Sequence, residues 1–202
     1  MSAPLRAAFS DMGDALVSLV AGISESEYAL PSIGDWTVRE LIAHTIRAYS
    51  LIGTYLDGPV VEGSCATAGE YFRRALVDPA THIQIAERGR QSGIQLTDPV
   101  AQTRAAVLDG VRRTSQVDDL TLMSSFMGQI PFGEYLRTRL VEATLHSLDL
   151  IAALGRETSL PPAAVRLTLD TLLDTASVPV LTLIAQSVSG RATLPSGFNL
   201  IQ

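Results

Sequence analysis

Apolar positions recur at the helical period along most of this chain. Leu5, Ala8, Met12, Leu16, Leu19 and Val20 fall on one face and predict a helix over residues 4–21. "GISESEYALPSIGDW" interrupts it, and within that break Ser24 to Glu27 can cap a short helical turn. "WTVRE" then carries a capping box, with Thr37 as N-cap and Glu40 three residues on. Trp36 and Leu41 flank the cap and can close as a hydrophobic staple. The helix so started reaches about Leu56 and stops at "DGP". Its stripe Leu41, His44, Ala48, Leu51, Tyr55 puts an imidazole on a largely apolar face.

The middle is less periodic. "AGEYFRRALV" reads as helical, and two further helices open with Asp-Pro, a favourable N-cap and N1 pair, at "DPATHIQ" and "DPVAQTR". "DDLTLMSSFMGQIPFGE" has no helical period and reads as a long connection with extended character. "PFGEYLRTRLVEATLHSLDLIAALG" supplies another long helix, with Gly155 just past its end. Val141, Leu145, Leu148 and Ala152 read as its core stripe. Glu142, His146, Asp149 and Ala153 form the adjacent stripe, about 100° round the axis. Two apolar helices are expected over 162–176 and 179–188, then a turn-rich tail, "GRATLPSGFNLI", ending in a short strand. The expected fold is all-α: an up-down four-helix bundle over 1–155 with one long crossover, and a C-terminal helical extension over 156–202 packed on it. No repeat period points to a solenoid.

Composition narrows the function classes. The 202 residues, 47% hydrophobic and 18% charged, fit one globular domain. No apolar run approaches the roughly 20 residues that span a bilayer. The first 20 residues read as an amphipathic helix and not as a signal peptide. A net charge of −6 without a basic tract argues against nucleic-acid or anionic-membrane partners. Every Lys/Arg position is Arg, which excludes lysine Schiff-base chemistry and suggests a GC-rich genome. The single cysteine, Cys65, sits in loop-like "GPVVEGSCATAG", where a solvent-exposed thiol is expected. It cannot form an internal disulfide, which favours a reducing cytoplasm. No neighbouring His or acid marks it as a nucleophile. Nucleophile-elbow, dinucleotide and Walker motifs are absent.

The remaining chemistry lies in "LVEATLHSLDL". Residues four apart on a helix have neighbouring side chains, so Glu142 and His146 can reach one ion. A third donor must come from a facing helix, and His44 is the candidate. Two nitrogens and one carboxylate oxygen leave a fourth position open, as in a catalytic zinc site. The same set suits Fe(II) or Ni(II). Asp149 could accept from an imidazole and orient it. The plainer reading stays open: Glu142 and His146 as a solvated helix pair, His44 as a core histidine, Asp149 as a surface acid. His82 has no partner at helical spacing before it and reads as a surface residue. Glu134 could serve as a general base but resembles any solvated helix acid.

"GDWTVRELIAHTI", followed about a hundred residues later by "YLRTRLVEATLHSLDLIAAL", resembles the DinB/YfiT-like metal-binding bundles. More narrowly it is similar to the mycothiol-dependent maleylpyruvate isomerase branch found in actinobacteria. The Trp-Thr-Val run before His44, and Glu142-x-x-x-His146-x-x-Asp149, carry the likeness. It implies a divalent metal, usually zinc, on His44, Glu142 and His146, with an open position for a thiol or water. In that branch the thiol is mycothiol, which adds to an unsaturated acid before isomerisation. Arg139, three residues before Glu142, could meet a substrate carboxylate through its planar fork. An ion pair with Glu142 or Glu134 is the simpler role. The expectation is a mycothiol-dependent transferase or isomerase acting on a small electrophile. The alternatives are a metal-dependent hydrolase and a non-enzymatic metal- or ligand-binding stress or regulatory protein, with homodimerisation through the C-terminal apolar helices.

Overall fold

The computed structural model describes residues 2–75, 79–157 and 159–200, and no side chains over 79–86. Helix α1 (Ala3–Ala21) leads through a 3₁₀ turn (Glu25–Ala29) to α2 (Val38–Leu56). Helices α3 (Ala68–Ala75), α4 (Pro79–Gln95) and α5 (Pro99–Thr114) follow. A hairpin, β1 (Leu122–Ser125) and β2 (Gly128–Pro131), precedes α6 (Phe132–Ala153), α7 (Pro162–Leu173) and α8 (Val178–Val188). The fold is thus all-α, apart from one two-stranded sheet.

Four long helices make the bundle. Both α1 and α2 pack against α5 on one side and α6 on the other. The order round the bundle is therefore α1, α5, α2, α6. The middle is filled by Phe9, Met12, Leu16, Leu41, Ile42, Ile52, Leu136 and Leu140, all essentially buried. Each such side chain contributes roughly 1.5–3 kcal/mol. Tyr49 reaches across this core, stacks on Phe9 at 4.5 Å and donates its hydroxyl proton to the Phe9 carbonyl at 3.3 Å. That bond satisfies a hydroxyl whose burial would otherwise be costly. Gly110 allows α5 to approach α2, because a Cβ there would sit 2.9 Å from the Tyr49 carbonyl oxygen.

Local signals fix the helix ends. Thr37 and Glu40 form the expected capping box at α2, and Ser24 and Glu27 form another at the 3₁₀ turn. The Asp98 side chain accepts from the Ala101 N–H at the start of α5. Gly155 closes α6 at φ +59, where its N–H donates to Ala152 and the Arg156 N–H to Ile151.

The "DDLTLMSSFMGQIPFGE" segment contains the hairpin, with Met123 opposite Ile130 and Ser125 opposite Gly128. The chain around Cys65 joins its edge: the Cys65 N–H donates to the Gln129 carbonyl at 2.8 Å, and the Gln129 N–H to Gly63 at 3.0 Å. This edge pairing buries Cys65 to 1% exposure, contrary to the exposed thiol expected from the loop composition. Burial pushes its thiol pKa up.

The α6 core stripe also differs from expectation. Val141 is buried, but Leu145 is half-buried, and Leu148 and Ala152 are exposed. The helix instead buries Leu136, Leu140, Ala143, Thr144, Ser147 and Leu150. Two small hydroxyl residues on this face hide it from a hydrophobicity count. Helix α7 buries Ala164, Thr168 and Thr171 against the bundle, next to α6 and α1, whereas α8 buries no residue. The tail through residue 200 forms turns and bends and no strand, since the expected final strand finds no pairing edge. Among the described residues, no helix is long and apolar enough to cross a membrane.

Candidate metal centre

The capping box sets the start of α2, and with it the phase of every later side chain on the helix. His44 thereby faces α6 in its second turn. The Trp36 ring, just before the cap, lies against the His44 imidazole at 4.7 Å. A Cβ on Gly89 would collide with the same indole, so the backbone of α4 rests on Trp36 and walls in the imidazole.

His44, Glu142 and His146 converge from α2 and α6. One ligand atom from each lies within 4.8 Å of the other two. Both imidazoles point Nε2 at the same carboxylate oxygen: Glu142 Oε2 is 3.8 Å from His44 and 3.2 Å from His146. The rings meet edge to face at 4.8 Å. Behind His146, Asp149 Oδ2 lies 3.1 Å from Nδ1. That contact fixes the ring and leaves Nε2 directed at Glu142.

Electrostatics separates the two imidazoles. Burial opposes charge on His146, but its bonds to Asp149 and Glu142 outweigh this and raise its pKa to about 9. Burial dominates at His44 and lowers its pKa, with Glu142 only partly compensating and the His146 charge adding to the depression. Glu142 is held well below the usual carboxylate range. Burial opposes ionisation there, but the two imidazoles and the charge of Arg139 overcome it. The protein alone therefore pairs an imidazolium with a carboxylate and leaves a neutral imidazole beside them.

The donor set fits a divalent cation. At 3.8 Å, His44 Nε2 is too far from Glu142 for a hydrogen bond, and the buried Nδ1 has no hydrogen-bond partner among the described residues. A buried ring nitrogen without a hydrogen-bond partner is costly. A cation between the three donors would engage the Nε2 that the protein leaves under-used.

The triad opens into a cleft of about 780 Å³, lined among others by Arg47, Tyr55, Tyr71, Phe72, Arg139 and Leu145. This lies within the range of small-molecule sites, about 300–1,000 Å³. The largely apolar α2 stripe is in part the cleft wall: His44, Leu51 and Tyr55 are only half-buried.

Arg139 is buried but makes no ion pair with Glu142 or Glu134. Its Nη2 donates to the Tyr71 hydroxyl at 3.3 Å, and its guanidinium lies 4.8 Å from the Tyr135 ring centre. Glu134 accepts from the Ala68 N–H at 2.9 Å and pairs with Arg137 at 3.5 Å, so it caps α3 and takes no part in the cleft. Cys65 does not line the cleft either. His82 has a side chain outside the described residues. Sequence reasoning missed Arg47 and Tyr71. Arg47 carries a usable signal, since it follows His44 by one helical turn. Tyr71 carries none, because it arrives from α3 by tertiary packing.

Over residues 9–151 the chain matches the family model described as the mycothiol maleylpyruvate isomerase N-terminal domain. That span contains His44, Glu142, His146 and Asp149. No curated protein and no solved structure matches the chain.

Proposed function

Because the chain belongs to the mycothiol maleylpyruvate isomerase N-terminal domain family, we propose that it is a metal-dependent, thiol-using isomerase or transferase acting on a small electrophile. His44, Glu142 and His146 hold the metal, zinc being the best match to two imidazoles and a carboxylate. The observation that carries the reading is the convergence of three donors from two helices at the wall of an open cleft.

A divalent metal held by these three residues would supply the positive charge that lowers the pKa of a thiol or water. The chain's own residues do the rest. Asp149 holds the His146 ring by its Nδ1 proton, so Nε2 is available as a donor. Trp36 covers the His44 ring and excludes water from its back. Glu142 is ionised before any ligand arrives. No protein nucleophile is required, in accord with the burial of Cys65 away from the cleft. The cleft's size supports a thiol cofactor beside a small substrate and favours this reading over hydrolysis.

The test is turnover of maleylpyruvate by zinc-loaded protein with and without mycothiol. Thiol-dependent loss of substrate, abolished in His44→Ala and His146→Ala, is expected. Equal turnover without thiol would point to the hydrolase. No turnover under any condition would leave a binding protein.

A further inference from the structure

Two arginines enter the same cleft without a carboxylate partner. Arg139 is only 6% exposed, yet among the described residues no Asp or Glu oxygen lies within ion-pair distance of it. Its Nε donates to Thr138 Oγ1 at 3.1 Å and its Nη2 to Tyr71 at 3.3 Å. Its Cζ lies over the rings of Tyr135, at 4.8 Å from the centroid, and Tyr71, at 5.6 Å. A guanidinium has five N–H donors, so among the described residues Nη1 and the second Nη2 proton have no acceptor. Arg47, half-buried on α2, makes no hydrogen bond or ion pair with the described residues, and it too lines the cleft. Burial, and then repulsion by Arg88 and Arg139, depresses its pKa. Buried cations are ordinarily paired, because an unpaired buried charge is costly. Here a buried and a half-buried guanidinium face one cavity, and among the described residues neither has an ion-pair partner.

Their position is defined by the triad. Arg47 follows His44 by three residues on α2, and Arg139 precedes Glu142 by three on α6. Three residues advance a helix by about 4.5 Å. Both residues line the cleft that holds the three donors, and the Arg139 charge is felt at Arg47. We propose that Arg139 and Arg47 form an anion subsite that takes the carboxylate of a small carboxylic acid, whose body extends toward the His44–Glu142–His146 end. A planar carboxylate matches the guanidinium N–H groups that Thr138 and Tyr71 leave unused. The Glu142 carboxylate, one turn away, opposes a dianionic phosphate. Tyr55, Tyr71 and Phe72 give the body of the acid apolar walls. The inference rests on the proposed function for its choice of cleft, but the arginine subsite needs no metal.

The experiment is calorimetric titration of the full chain, treated with chelator, with benzoate, its neutral isostere benzamide, and phenyl phosphate. Benzoate is expected to bind at least tenfold more tightly than benzamide and more tightly than phenyl phosphate. Losing a charge-assisted bond should weaken benzoate at least tenfold in Arg47→Met and in Arg139→Met. Arg47 makes no hydrogen bond with the described residues, so Arg47→Met should fold normally even where Arg139→Met does not. No benzoate binding, equal affinity for benzoate and benzamide, or an unchanged affinity in folded Arg47→Met would overturn the subsite. Tighter binding of phenyl phosphate would overturn the carboxylate assignment. His44→Ala should retain benzoate binding. If the wild type bound no metal but bound benzoate in an Arg47-dependent way, the proposed function would fall and the subsite would stand.

Discussion

Metal-free protein should lose stability as pH rises from about 6.5 to 9, and Asp149→Asn should remove much of that slope. The folded pKa of His146 is raised to about 9, against 6.5 for a free imidazole. A raised folded pKa favours the native state in full below 6.5, and the contribution disappears as pH climbs through 9. The difference of about 2.5 units corresponds to about 3 kcal/mol at 1.36 kcal/mol per unit. The ring's side chain is 18% exposed, so solvent screening trims that figure only modestly. Glu142 does not contribute to the slope. Its depressed pKa gives stability that is present above the ordinary carboxylate range and lost only in acid. Asp149→Asn replaces the charged acceptor of the Nδ1 proton and lowers the His146 pKa. Urea unfolding at pH 6.5, 7.5, 8.5 and 9.5 with chelator present measures the effect in both proteins. A flat profile in the wild type, or an equal slope in Asp149→Asn, would refute the imidazolium between two carboxylates.

Gly110→Ala should destabilise the protein. The new Cβ meets the Tyr49 carbonyl oxygen at 2.9 Å and the Tyr49 Cβ at 3.0 Å, so α5 and α2 must separate. Overpacking of this kind costs about 1–3 kcal/mol, partly offset by the helix preference for Ala, roughly 1 kcal/mol; urea denaturation reads the net loss, and an unchanged midpoint would count against the close approach. Cys65 should react slowly with a thiol-specific dye in the native state and rapidly in denaturant, because it is 1% exposed and its pKa is raised by burial. Rapid native labelling would contradict its place beside β2.

Much of the fold is legible because local chemistry and the helical period agree. Thr37–Glu40, Asp98 and Gly155 mark helix ends through caps that depend on a few neighbouring residues. Tertiary choices are less visible. Helix α6 turns Thr144 and Ser147 inward and leaves Leu148 at the cleft side, so its apolar count points to the wrong face. The loop around Cys65 is buried by a strand edge formed more than sixty residues later. The site follows the same division. Glu142, His146 and Asp149 are spaced by one helix, and His44 is the imidazole on a capped facing helix. Arg47 is one helical turn from His44 and so within reach of a local pattern, whereas Tyr71 joins the cavity only through tertiary packing of α3.

Metal analysis of the purified chain beside His44→Ala and His146→Ala tests the central claim most directly. The three converging donors predict about one divalent ion per wild-type chain and loss of that ion in both variants. A wild type that takes up no metal, or variants that retain it in full, would contradict the account.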